Sequence, residues 1–112
     1  NIYDTAFKKK SRFSPMPRND KVKSSCWLYS LKMHSKKDAK SLIKFLKERK
    51  IESRLFWENL SSQKPYRNYL LISKKVSNDL SEKVVSLPCS TNLTKEDQKT
   101  VIQETLNWVD KN

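Results

Sequence analysis

Four side chains between residues 54 and 66 have the chemistry to bind a small polar ligand. Arg54 stands on a predicted strand just before an irregular loop, and its guanidinium can hold a phosphate or carboxylate through two hydrogen bonds. Trp57 offers a ring on which a sugar or base can stack, and Gln63 and Tyr66 can bond to hydroxyl groups. The alternatives stay open: Arg54 pairs with a nearby glutamate, Trp57 belongs to the core, and the loop satisfies its own hydrogen bonds.

Several other chemistries are disfavoured by the composition. The 112 residues include no glycine, and phosphate-cradling loops of the P-loop and Rossmann types need glycine for close backbone approach. His34 is the only histidine, without cysteines or acidic residues at zinc-ligand spacing, so no metal site is expected. Catalysis by a serine, histidine and aspartate is equally unsupported, because the sequence has no nucleophile elbow.

The net charge of +12 is unevenly distributed. Residues 1–50 contain 15 Lys/Arg against 4 Asp/Glu, whereas residues 51–112 contain 9 against 8. Such a basic half is typical either of a protein with an anionic partner or of lysines that cover solvated helix faces. The lysines are dispersed among serines and apolar residues, which favours the second interpretation.

Cysteine content and hydropathy indicate a cytoplasmic protein. Cys26 and Cys89 are too few for a disulfide framework, so reduced, buried thiols are expected, although a bridge between them stays possible. No apolar stretch has the length of a membrane span or the form of a signal peptide. The chain begins at Asn1 without a methionine, which suggests a fragment, a processed product or an expressed piece of a longer protein.

Hydrophobic periodicity predicts an α+β fold: a small three-stranded, mainly antiparallel sheet with helices packed on one face. Residues 1–25 are expected to be the end of a linking helix and a connector, and residues 26–112 to be the domain. Ser35 and Thr94 are predicted helix N-caps, each followed by an aspartate three residues later. The predicted elements are strands at 26–33, 51–57 and 84–87, helices after Ser35 and Thr94, a short helix at 78–84, and a helix or strand at 69–72.

Three motifs occur in a recognisable order along the chain. They are Cys-Trp-Leu-Tyr at 26–29, Lys-Ile-Glu-Ser-Arg-Leu-Phe-Trp at 50–57 with Gln-Lys-Pro-Tyr at 63–66, and Leu-Pro-Cys-Ser-Thr-Asn-Leu-Thr at 87–94. Together they resemble the C-terminal end of the pyridoxal-phosphate-dependent sugar aminotransferases of the DegT/DnrJ/EryC1/StrS family. The resemblance covers residues 26–111.

The resemblance implies the small domain of a fold-type-I aminotransferase. In such enzymes a large domain, upstream in the parent chain, holds pyridoxal 5'-phosphate on a Schiff-base lysine. The parent enzyme would be a homodimer that moves an amino group from glutamate to a nucleotide-linked keto sugar, in aminosugar or surface-polysaccharide biosynthesis. This chain alone would then lack the lysine, bind no cofactor and catalyse nothing.

The resemblance also brings the loop of Gln63 and Tyr66 near the active site, and it adds Ser61, which stands where many relatives have histidine. A second departure is Lys50, where the family favours glycine. A nucleic-acid partner and a membrane are not expected in this interpretation. The alternatives are a free-standing basic binding module, possibly for nucleic acid, whose affinity would fall steeply with salt, and an inactive truncated remnant.

Overall fold

The computed structural model describes residues 2–8, 11–69 and 75–112. Four strands form one antiparallel sheet in the order β1-β2-β4-β3. Helices α1, α2 and α4 contact the sheet or one another, so the α+β class is confirmed. The elements are α1 (Ile2–Phe7), β1 (Phe13–Pro15), β2 (Tyr29–Met33), α2 (Lys36–Lys47), β3 (Arg54–Leu55), short 3-10 turns at Leu60–Ser62 and Lys64–Tyr66, α3 (Lys75–Leu80), β4 (Val84–Leu87) and α4 (Lys95–Lys111).

The prediction of three strands was wrong by one, because β1 lies in the segment that was expected to be a connector. Phe13 is 5% exposed and pairs with Met33 of β2. Pro15 and Pro17 argued against regular structure there, yet proline is tolerated on an edge strand, where one side needs no ladder hydrogen bonds. The possible element at 69–72 falls largely outside the described residues.

The boundaries of the other predicted strands also shift. β2 begins at Tyr29 rather than at residue 26: Cys26 has a φ of 56°, in the left-handed region that strands do not use, and the chain bends at Trp27. Trp27 therefore lies outside the strand, and it is 71% exposed. β3 is only two residues long, although the N–H of Phe56 still donates to the Val84 carbonyl at 2.8 Å.

The core lies between one face of the sheet and the three helices. It is built from alternate residues of β2 and β4, from α1, and from the helical stripes of α2 and α4. The helical spacing of the sequence places Ala39, Leu42 and Leu46 on one face of α2, and Val101 and Thr105 on one face of α4, and all five are buried. Trp108 of α4 is also buried, at 1% exposure.

Both predicted N-caps are formed. The N–H of Asp97 donates to the Thr94 hydroxyl at 3.0 Å, and that hydroxyl donates to the Asp97 carboxylate at 2.7 Å. Ser35 and Asp38 repeat the arrangement at the start of α2, at 3.1 and 2.9 Å. In each case the carboxylate holds the capping hydroxyl, which fixes the helix start and so the direction in which the helix crosses the sheet.

Lys50 follows α2 in the left-handed region, with a φ of 60°. The N–H groups of Ile51 and Lys50 donate to the carbonyls of Leu46 and Lys47, each at 3.0 Å, as in a Schellman motif. Since a side chain is strained in this region and glycine is not, we expect Lys50→Gly to raise the free energy of unfolding by about 1 kcal/mol.

Urea denaturation measures this effect, and Glu48→Gly is the matched control. Glu48 has a φ of −60°, where glycine only adds entropy to the unfolded chain. The free energy of unfolding of the control should therefore fall by about 0.5–1 kcal/mol. Equal losses in the two variants would contradict the left-handed assignment of Lys50.

Tyr3 and Tyr29 make the free energy of unfolding depend on pH in the alkaline range. Burial raises the pKa of both phenols well above the usual 10.0, and the hydrogen bond to Asp4 raises that of Tyr29 further. Because the folded pKa exceeds the unfolded one, this stability is complete below pH 10 and is lost as the pH rises towards the folded values. We expect the urea midpoint to fall as the pH rises above about 10, and to fall less steeply in a Tyr3→Phe/Tyr29→Phe variant. Identical slopes for the two proteins would contradict the assignment.

Candidate functional site: the face of the sheet opposite the core

The face of the sheet opposite the core, here called the second face, is where the predicted ligand-binding residues begin. Val85 of β4 points to the core, so its neighbour Ser86 points to the second face. Ser86 pairs with Ser30 of β2 and with Arg54 of β3, and cross-strand partners share a face. The hydroxyls of Ser30 and Ser86 form a hydrogen bond at 3.2 Å. Arg54 therefore lies at the end of a buried polar row.

A largely apolar cavity of about 830 Å³ opens on the second face. Its walls come from the segment after β1, the segment after β3 and the end of α3, and they include Met16, Phe56, Trp57, Leu60, Ser61 and Leu80. The Phe56 and Trp57 rings lie 4.9 Å apart, and 63% of Trp57 is exposed. We call this the aromatic cavity. Its composition suits a ligand with a flat or apolar face.

A second cavity, of about 680 Å³, lies at the end of the sheet and is more polar. Arg54, Ser53, Cys26 and Trp27 contribute to it, and we call it the arginine cavity. The Ser53 hydroxyl oxygen is buried and has no hydrogen-bond partner among the residues that the structure describes. Trp27 lines the arginine cavity and Trp57 lines the aromatic cavity, and the two indole rings lie 5.6 Å apart. The two cavities are therefore joined by an aromatic pair.

The five predicted site residues fall into two groups. Arg54 is exposed and forms no ion pair within the described part of the chain, so the expected alternative of a salt bridge to Glu52 or Glu58 is wrong. Trp57 lies outside the core, against the structural alternative for it, and it lines the aromatic cavity with Ser61.

Gln63 and Tyr66 are not brought to either cavity. The Gln63 amide donates to the Glu58 carbonyl at 3.4 Å, and the Tyr66 ring lies 6.3 Å from that of Tyr69. The two consecutive 3-10 turns give this loop its own hydrogen bonds, which agrees with the alternative of a self-satisfied loop.

Trp27 and Phe56 are the residues that the sequence prediction missed. Trp27 was assigned to the buried side of a strand, and Phe56 to an extended segment without a role. A usable signal was present, because successive residues of an extended segment point to opposite faces, so Phe56 and Trp57 could not both face the core. It was too weak to say which ring would lie in a cavity.

The described lysines do not fit the role of a Schiff-base lysine. All are exposed except Lys83, which is half-buried. Its ammonium lies 2.9 Å from the Asp79 carboxylate, and hydrogen bonds from Lys32 and Lys83 lower the pKa of Asp79 to about 2. A Schiff-base lysine must instead be neutral in a packed pocket. Within residues 2–8, 11–69 and 75–112 there is also no group of three metal-ligating side chains.

None of the helices in the described part of the chain combines the length and the apolar content needed to cross a bilayer. The longest is α4, with 17 residues and both acidic and basic side chains.

The fold and the sequence match those of known aminotransferases. Residues 1–106 match the model of the DegT/DnrJ/EryC1/StrS aminotransferase family, and the chain belongs to this family. No curated protein sequence matches it significantly.

Three solved structures illustrate the likeness. Helicobacter pylori PseC, an aminotransferase in pseudoaminic acid biosynthesis, is 25% identical with a TM-score of 0.80 over 98% of this chain. The putative sugar aminotransferase Spr1654 of Streptococcus pneumoniae, in its PMP form, is 23% identical with a TM-score of 0.80 over 97%. TlmJ of Streptoalloteichus hindustanus is 19% identical with a TM-score of 0.86 over 98%. The chain spans 30%, 28% and 29% of those three chains, respectively.

Proposed function

We propose that this chain is the C-terminal small domain of a pyridoxal-phosphate-dependent aminotransferase that acts on nucleotide-linked keto sugars. In this proposal residues 1–25 are the end of a linking helix with its connector, and residues 26–112 are the domain. The enzyme would serve aminosugar or surface-polysaccharide biosynthesis in the cytoplasm. Family membership and a match to less than a third of larger aminotransferases support it.

One observation supports a ligand-binding role most directly. Arg54 lines the arginine cavity and has no ion pair in the described part of the chain. The Trp27 ring of the same cavity contacts the Trp57 ring of the aromatic cavity. A guanidinium can hold the diphosphate of a nucleotide-linked sugar through paired hydrogen bonds. Trp57 would stack on the sugar or the base, and the Ser61 hydroxyl would bond to the ligand in the same cavity. Gln63 and Tyr66 would join only if their loop rearranged on binding.

The large domain would supply the reactive lysine, because no described lysine of this chain fits that role. Pyridoxal phosphate held there supplies the electron sink for transfer of the amino group from glutamate. This chain would bind no cofactor alone. Its own contribution would be to bind and orient the substrate and to exclude water from the reacting atoms.

The second face also suits contact with the rest of such an enzyme. Trp27, Phe56, Trp57 and Leu60 are between 42% and 71% exposed, which is unusual for large apolar side chains so close together. Contact with the large domain, in the same chain or across a homodimer, would cover much of this area. Ligand and protein contacts can share the surface because the two cavities open between these side chains.

An activity assay tests the proposal. The polypeptide that carries this chain is purified from its source cells and supplied with glutamate and a panel of nucleotide-linked keto sugars. We expect 2-oxoglutarate to form only with such sugars. Formation with none of them, while pyridoxal phosphate is bound, would overturn the substrate class and leave the family assignment intact.

A further inference from the structure

The two cysteines lie together at the edge of the arginine cavity. The Cys89 thiol donates a hydrogen bond to the Cys26 carbonyl at 3.1 Å, although 63 positions separate the two residues. Both thiols are free. Cys26 is exposed rather than buried as expected, and Cys89 is half-buried.

This contact limits the distance between the two backbones. A carbonyl oxygen lies about 2.4 Å from its own Cα, and a sulfur lies slightly farther from its own, so the two Cα atoms are within about 8 Å. Disulfides form at Cα separations of about 4.4–6.8 Å. The Cα separation therefore has to shorten by no more than about 1–2 Å, and the Cys26 thiol, whose sulfur lies 3.8 Å from the Ser24 carbonyl oxygen, has to rotate towards Cys89.

Cys26 can make this shift, whereas Cys89 is held in place. Cys89 follows Pro88, whose carbonyl accepts a hydrogen bond from the buried Tyr3 hydroxyl at 2.9 Å, so its backbone is fixed to the core. Cys26 lies near the end of a segment, residues 16–28, that has no helix or strand. The exposed thiol can thus approach the anchored one.

We propose that Cys26 and Cys89 form an oxidisable dithiol, which a small disulfide such as glutathione disulfide converts into an intramolecular bridge. The Cys26 thiolate attacks one sulfur of glutathione disulfide, forming a mixed disulfide and releasing one glutathione. The Cys89 thiolate then attacks the Cys26 sulfur, which closes the bridge and releases the second glutathione. Two protons leave the protein thiols and protonate the two glutathione thiolates. One glutathione disulfide is thereby reduced, and the protein dithiol is oxidised.

The environment of Cys89 makes it the thiol that resolves the mixed disulfide rather than the one that first attacks glutathione disulfide. Burial, and then the neighbouring Cys26, raise the pKa of the Cys89 thiol, which makes it the poorer first nucleophile. It is also less accessible to a peptide-sized disulfide than Cys26. Closure would hold Trp27, the next residue, against the arginine cavity. The inference does not depend on aminotransferase activity.

The test treats the 112-residue chain with glutathione disulfide at a series of glutathione ratios, followed by acid quenching and intact-mass measurement. We expect wild type to lose the mass of two hydrogens and to melt roughly 10 °C higher, because the bridge restricts the unfolded chain. Cys89→Ser should stop with one glutathione attached to Cys26. Cys26→Ser should react much more slowly.

Three results would overturn the proposal. They are a stable mixed disulfide in wild type, a disulfide-linked dimer, and no reaction of the folded chain under conditions that oxidise it in urea. The urea sample shows that both thiols are chemically competent, so a lack of reaction in the folded state is itself decisive.

Discussion

Replacing Trp108 with alanine is expected to lower the free energy of unfolding by about 3–5 kcal/mol. The indole is 1% exposed, and its N–H donates to the Ser41 hydroxyl of α2 at 3.0 Å. The substitution therefore leaves a cavity between α2 and α4 and removes a hydrogen bond that links them. Urea denaturation followed by circular dichroism measures the change in midpoint.

Two variants show whether burial causes the effect. Trp108→Phe keeps most of the apolar volume and should lose about 1–2 kcal/mol, largely from the missing hydrogen bond. Trp57→Ala removes the same side chain from a position that is 63% exposed, and it should change stability by less than about 1 kcal/mol. Similar losses at positions 57 and 108 would contradict the placement of the core on one face of the sheet.

Under the proposed function, replacing Arg54 with alanine is expected to raise the KM of the proposed full-length enzyme for its nucleotide-linked sugar about 100-fold. The reason is that Arg54 is exposed at the arginine cavity, without an ion pair in the described part of the chain to compete with a ligand. Arg54→Lys keeps the charge but cannot donate two parallel hydrogen bonds, so a rise of about 10-fold is expected. Steady-state kinetics at fixed glutamate measure both.

Lys64→Ala is the control for charge alone. Lys64 is an exposed cation on the loop after the aromatic cavity, and it lines neither cavity. Its removal should leave KM within about twofold, because a screened surface charge contributes little to binding. If the Arg54 and Lys64 variants had the same KM and the same melting temperature, Arg54 would have no special part in binding.

Local chemistry made the helices α2 and α4 predictable, whereas the short helix predicted at 78–84 is found as α3 at Lys75–Leu80. A hydroxyl followed three residues later by an aspartate marks the starts of α2 and α4, and the apolar stripe after each start faces the sheet. These signals act within one or two turns, so they do not depend on the rest of the molecule. The sequence position of β4 was predictable for a similar reason, since its short apolar run stops at Pro88.

The burial of individual aromatic side chains could not be predicted from the sequence, because it depends on which parts of the fold pack over them. Trp27 and Tyr29 are two positions apart and look alike in a strand pattern, but β2 begins only at Tyr29, after the left-handed backbone of Cys26 and a bend at Trp27. Trp57 resembles a core residue, yet the core helices α1, α2 and α4 pack on the other face of the sheet. Arg54 was predicted correctly as a strand residue from local sequence, whereas the displacement of Gln63 and Tyr66 arises from the 3-10 turns at Leu60–Ser62 and Lys64–Tyr66.

The central claim is that this chain works as one domain of a larger pyridoxal-phosphate enzyme. An antibody raised against the chain would recover the natural polypeptide from its source cells, for measurement of its mass and of the cofactor released by alkali. We predict a polypeptide several times heavier than 13.3 kDa that carries about one pyridoxal phosphate per chain. A product of 13.3 kDa alone, without the cofactor, would contradict the claim and favour the binding-module alternative.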